Sequence, residues 1–120
     1  MIRLSGTEYV LKRRPKEVDI QRDILQYLSI KGIFNFRVNT GGVMRMGRWC
    51  PSPTITKGTS DIIAIKKLAS GIGQFVAIEV KAQGGKVSKD QRAFLDSVVE
   101  GGGLAVVAYG VHDVRVVFES

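Results

Sequence analysis

Two short runs between Gly58 and Lys81 limit what this chain can become. The first, Asp61-Ile62-Ile63-Ala64-Ile65, follows Gly58-Thr59-Ser60; the second is Phe75-Val76-Ala77-Ile78-Glu79-Val80-Lys81, and a glycine-containing turn joins them. Both are rich in β-branched residues and bounded by Gly, Ser or Thr, the pattern of strands and not of helices. Side chains alternate along a strand, so Glu79 and Lys81 share a face about 7 Å apart at roughly 3.3 Å per residue, while Val76, Ile78 and Val80 face a core. Pairing of the two runs brings Asp61 towards Glu79. Two carboxylates repel unless a cation lies between them, and hard oxygen ligands favour Mg²⁺ or Mn²⁺.

Helices are expected on either side. Ile20, Ile24, Leu25 and Leu28 recur at helical spacing between Lys16 and Lys31, and Gly32 ends the pattern. Glu17 lies one turn before Ile20 and can begin the inward stripe, or it can simply complement the helix dipole. Ser88 followed by Gln91 forms a capping box, so a second helix should start there, with Gln91, Phe94, Leu95 and Val98 on one face and Gly101-Gly102-Gly103 as its stop. Ile33–Val38 reads as a short strand with Phe34, Phe36 and Val38 on one side, and Leu104–Tyr109 as a strand parallel to the Glu79 run. Val111–Phe118 is an edge element, strand or short helix. Residues 43–57 read as a long connection, and the N-terminal 16 residues as a basic arm, solvated or phosphate-contacting. These elements predict one α/β domain over residues 1–120, a central mixed sheet flanked by helices.

Charge narrows the partner. Eighteen Lys and Arg against 11 Asp and Glu leave +7, which makes a polyanion the leading candidate. The cations placed to meet phosphates are Arg13, Arg14, Arg37, Arg45, Arg48, Lys57 and Lys86. Trp49 among the prolines and arginines of the long connection suits either an unstacked base or a small satellite core. One cysteine, Cys50, and one histidine, His112, exclude an internal disulfide and a Cys/His zinc cluster. No apolar run approaches the roughly 20 residues that span a bilayer, and the N-terminus has no apolar leader core, so a soluble intracellular protein is expected.

The ordered set Glu17, Gly58-x-Ser60-Asp61, Glu79-x-Lys81 and Ser88-x-x-Gln91 resembles the VRR-NUC family, the virus-type replication and repair nucleases of the PD-(D/E)xK superfamily. Asn39-Thr40-Gly41 before the long connection adds to it, and the resemblance runs from about Glu17 to about Tyr109. Ser60 stands where the superfamily motif has Pro. The resemblance implies a restriction-endonuclease-like core and a metal-dependent DNA endonuclease. Glu17, Asp61, Glu79 and the Val80 carbonyl would hold Mg²⁺ or Mn²⁺, Lys81 would act beside the water nucleophile, and Gln91 would support the site. Free-standing members imply a phage or bacterial source and a homodimer on branched DNA such as four-way junctions; a flap or nicking nuclease is the alternative within the family. Trp49, Met44, Met46 and the Val114–Phe118 edge are the apolar candidates for the dimer interface. Outside the family, a basic domain that holds DNA without cutting it would keep its binding after loss of the acidic residues.

Overall fold

The computed structural model describes residues 2–4, 8–10, 14–38, 43–50 and 57–120. Near the N-terminus β1 (Ile2–Leu4) and β2 (Glu8–Val10) pair antiparallel, so part of the expected basic arm is a hairpin. Helix α1 (Glu17–Ile30) then buries Ile20, Ile24 and Leu28, the stripe its spacing predicts. Its end is dictated locally: Gly32 takes φ +70°, letting the Ile33 N–H reach the Leu28 carbonyl at 2.9 Å and the Gly32 N–H reach Ser29 at 3.1 Å. That is a Schellman closure, which turns the chain back so that Ile33 packs on the same core.

The chain continues through β3 (Asn35–Arg37), then a small separate hairpin of β4 (Val43–Arg45) and β5 (Arg48–Cys50). This hairpin corrects the reading of residues 43–57 as an unbroken connection. Met46 and Gly47 form its turn with φ of 49° and 75°, the paired positive values of a two-residue hairpin loop. A methionine in the first turn position hid the signal, which sequence reading looks for as Asn-Gly or Asp-Gly.

The main sheet has the order β3, β6 (Ile62–Lys67), β7 (Gly73–Val80), β8 (Leu104–Ala108), with β3–β6 and β6–β7 antiparallel and β7–β8 parallel. Helix α2 (Lys89–Glu100) makes the crossover between β7 and β8. Its N-cap is Ser88, whose Oγ accepts from the Gln91 N–H at 3.1 Å while Gln91 Oε1 accepts from the Ser88 N–H at 2.9 Å, the predicted capping box. Helices pack on both faces of the sheet. Val76, Ile78 and Val80 pack with the α1 stripe, and Ile63 and Ala77 pack on the other side with Leu95, Phe94 and Val98 of α2.

The C-terminal element is helix α3 (Val111–Phe118), not an edge strand. Asp113 accepts from the Tyr109 N–H at 2.8 Å near its start, and Lys66 Nζ donates to the Val117 carbonyl at 2.8 Å near its end. Val114 is fully buried against the α1 side of the sheet. The strand-to-strand dimer contact expected along Val114–Phe118 is thereby excluded, because a helix uses its own backbone groups. The spacing Val111, Val114, Val117, Phe118 carries the helical period that eight residues rich in valine obscured.

Gly58 joins the central strands to α2. It has φ +84°, and a Cβ placed there would lie 2.3 Å from the Asp90 carbonyl oxygen and 2.8 Å from the Gln91 nitrogen. Only a residue without a side chain lets the approach to β6 pass this close to the first turn of α2. Gly58→Ala should therefore cost about 1–3 kcal/mol in backbone strain. Thermal unfolding should show a Tm lower by at least about 3 °C; an unchanged Tm would mean that the loop moves away without loss.

Candidate active site

The site grows from the mismatch in length between β6 and β7. The β6–β7 ladder runs from Lys67↔Gly73 to Ile62↔Ile78 and stops, while β7 continues to Val80 beside β8. Strand parity turns the Val80 N–H and C=O towards the β6 edge, as at Ile78, and the Lys81 N–H towards β8, where it donates to Ala108 at 3.0 Å. With β6 ended, Val80 has no backbone partner on that edge. Asp61 supplies one: its Oδ2 accepts the Val80 N–H at 2.8 Å. The same geometry sets Asp61 beside Glu79, one register step beyond Ile62↔Ile78. The Val80 carbonyl faces the same edge.

Glu79 is almost completely buried, with 2% of its side chain exposed, and Lys81 has 12% exposed. Lys81 Nζ stands 3.9 Å from Glu79 Oε1, long for a strong ion pair. Glu79 Oε2 and Ser60 Oγ are buried without a hydrogen-bond partner among the described residues. Burial, together with the negative charge of Asp61, pushes the Glu79 carboxyl up from 4.5 to about 8, against the pull of Lys81. An unpartnered carboxylate oxygen beside a second carboxylate suits a hard divalent cation, which would replace the missing donor and cancel the repulsion. The donors that fit are the Asp61 oxygen not bonded to the Val80 N–H, the Glu79 carboxylate and the Val80 carbonyl.

The other expected site residues are placed less tightly. Glu17 is the first residue of α1 and is exposed, so of its two readings the structure fits an acid in the first helical turn and not the start of the buried stripe. Among the described residues no group of three or more Asp, Glu, His or Cys is arranged to hold a metal, so Glu17 does not join Asp61 and Glu79. Gln91 spends its carbonyl oxygen on the cap, and no hydrogen bond joins it to Asp61, Glu79 or Lys81 among the described residues. Arg14, Arg37, Arg48 and Lys86 are exposed; Lys57 is exposed too but pairs with Asp90 at 3.3 Å. Arg13 and the side chains of Arg45 and Trp49 lie outside what the structure describes. Sequence reasoning missed the Asp61-to-Val80 bond and the closeness of Gly58 to α2. A glycine three residues before the acid was the available signal for the second.

The VRR-NUC domain model matches residues 16–112. The chain belongs to the VRR-NUC family. A solved structure described as a VRR_NUC domain protein is similar with a TM-score of 0.55 and 21% identity, covering 89% of this chain and 88% of that one. At that identity the likeness speaks for the shared fold. No curated protein matches the sequence. The matched region holds Asp61, Glu79 and Lys81, and the four-stranded mixed sheet flanked by three helices is the α/β architecture expected of this nuclease-type domain.

Proton linkage gives a test that needs no substrate. The folded pKa of Glu79 is raised, so its contribution to stability is present below about 4.5 and is lost as pH rises through about 8. In metal-free protein the Tm should fall over that window by about 3 °C or more, since one pKa unit is worth about 1.4 kcal/mol. Glu79→Gln, neutral throughout, should remove that part of the slope in calorimetry. Equal slopes in both proteins would show that Glu79 carries no trapped proton.

Proposed function

We propose that this protein is a divalent-metal-dependent DNA endonuclease whose reacting centre is Asp61, Glu79 and Lys81. The observation that supports it most is the buried Glu79 carboxyl with an unpartnered oxygen, beside Asp61 and 3.9 Å from the Lys81 ammonium. Mg²⁺ or Mn²⁺ bound there would polarise a phosphate oxygen and lower the pKa of a water. Asp61 and Glu79 would hold it through carboxylate oxygens, with the Val80 carbonyl as a further donor, while the Val80 N–H fixes the Asp61 rotamer. Glu79, whose carboxyl is raised to about 8, would have to give up its proton to a cation, so metal binding would release acid and tighten as pH rises towards about 8. Lys81 places its ammonium beside the attacking oxygen and the negative charge that develops on the phosphorane-like transition state. Gln91 contributes by capping α2, against whose first turn Gly58 packs, and Glu17 is left out of the centre.

Arg14, Arg37, Arg48 and Lys86 lie on surfaces open to phosphates, and the net charge of +7 supports a polyanionic substrate. We take the substrate to be branched DNA and the working form to be a homodimer, since one site per chain must meet two strands. The β4–β5 hairpin, with Met44 63% exposed and Met46 fully exposed, offers the apolar surface for that contact. Light scattering should give twice the 13.1 kDa chain mass at micromolar concentration, and a value near one chain would exclude the dimer.

Asp61→Asn and Glu79→Gln should abolish Mg²⁺-dependent nicking while DNA affinity in the absence of metal stays near that of the parent. Lys81→Ala should slow cleavage by at least about a hundredfold with little change in calorimetric metal affinity. Retained cleavage in either carboxylate variant would remove the site assignment; absence of cleavage by the parent with Mg²⁺ or Mn²⁺ on linear, flapped and four-way DNA would leave a basic binding domain.

A further inference from the structure

The sheet face that carries Glu79 and Lys81 is only half covered. Paired residues of neighbouring strands share a face, so Asp61 and Glu79 form one row, Phe36, Ile63 and Ala77 the next, and Ile65 and Phe75 the one after. Phe34 joins this last row, its carbonyl accepting the Ile65 N–H at 3.1 Å. Helix α2 covers the β7–β8 side, packing Phe94, Leu95 and Val98 against Ile63 and Ala77. Among the described residues nothing covers the β3 side. Phe34 is 63% exposed, Phe36 48%, Phe75 45% and Ile65 42%, and the rings of Phe34 and Phe36 touch each other edge to face at 6.1 Å instead of entering a core.

Contiguous exposed aromatics on one sheet face mark a contact surface. Charge decides the occupant. A cleft of about 510 Å³ opens beside Phe34 and Ile65, lined by Lys31, Lys66 and Lys67 and by no Asp or Glu. Lys66 is committed to the end of α3 and Lys31 lies 4.0 Å from Glu119, which leaves Lys67, exposed, as the lysine of that lining without an acidic partner among the described residues. A second copy would bring the same lysines against these. An unpaired nucleic-acid strand supplies what the patch lacks: flat bases to stack on phenylalanine and phosphates for lysine.

We infer that Phe34, Phe36 and Phe75 form a stacking platform that holds unpaired DNA nucleotides next to the Asp61–Glu79 centre. This rests on the nuclease reading and narrows its substrate to DNA with a single-stranded segment. Phe75 and Glu79 are four residues apart on β7, about 13 Å along the strand, so a strand stacked on the rings leads its neighbouring phosphodiester towards the carboxylates. The strand crosses the sheet on its open side and duplex lies beyond.

Fluorescence anisotropy with a labelled oligothymidine and with a blunt duplex of equal length, both without metal, tests the platform separately from cleavage. The parent should prefer the oligothymidine, and Phe34→Ala with Phe75→Ala should weaken that binding at least about tenfold with duplex affinity nearly unchanged. Circular dichroism and Tm must match the parent. Phe34→Trp, kept at full affinity, should lose fluorescence when oligothymidine stacks on it, a signal that a purely structural phenylalanine would not give. Equal affinity of parent and alanine variants for oligothymidine would overturn the platform while leaving the metal-dependent cleavage assays to stand. A drop in mass by light scattering in the alanine variants would overturn it too, by showing that a second copy covers the patch.

Discussion

The hydrogen bond from the Val80 N–H to Asp61 Oδ2 is where the fold and the proposed chemistry meet. It exists because β6 ends before β7 does, leaving a donor on the half of β7, from Val76 to Val80, that is buried on both faces. A buried N–H without a partner is costly, so the fold itself selects an acceptor at position 61. That acceptor is anionic, and it is set beside Glu79, which cannot share its charge without a cation or a proton. The repulsion is therefore a by-product of satisfying the backbone. Val76, Ile78, Ile62 and Ile24 supply the apolar packing that keeps the two strands rigid enough to maintain it.

Much of this arrangement could be read from residue order. Ile20, Ile24 and Leu28 fixed α1 because a 14-residue helix gives several turns for the period to show; Ser88 and Gln91 marked the start of α2 because a capping box is local chemistry. The Asp61–Glu79 encounter followed from strand alternation and one pairing. Harder were elements whose identity depends on neighbours. Val111–Phe118 has β-branched residues suited to either state, and its helix is decided by Val114 meeting the α1 side of the core and by Lys66 reaching its last turn. The Met46-Gly47 turn departs from usual hairpin chemistry. Glu17 shows the limit of periodicity: it stands in the right angular position, yet at the first residue of a helix the core has not yet closed around it.

Metal-binding and mere polyanion-binding domains would share the positive surface, and the difference lies in what burial does to acids. A surface glutamate beside a lysine gives an exposed pair of small value. Here Glu79 is enclosed with one oxygen unmatched and Lys81 held at 3.9 Å, so neither neutralises the other fully. Such a group is a poor structural element, and its retention in an otherwise apolar strand fits a role in chemistry better than one in stability.

The position of the carboxylates along the β6–β7 hairpin also bears on how the molecule assembles. The hairpin closes through Leu68, whose N–H donates to Ile72 and whose carbonyl accepts from Gly71, both at 2.8 Å. Closing so short a loop is fast, and zipping from it would join six register pairs before the like charges meet. The acids thus come together last, at the end that frays first, where the Asp61 contact with Val80 and the seat of Gly58 on α2 must hold the strands shut. Local opening of the chain, with the core still intact, would begin at the proposed reacting centre.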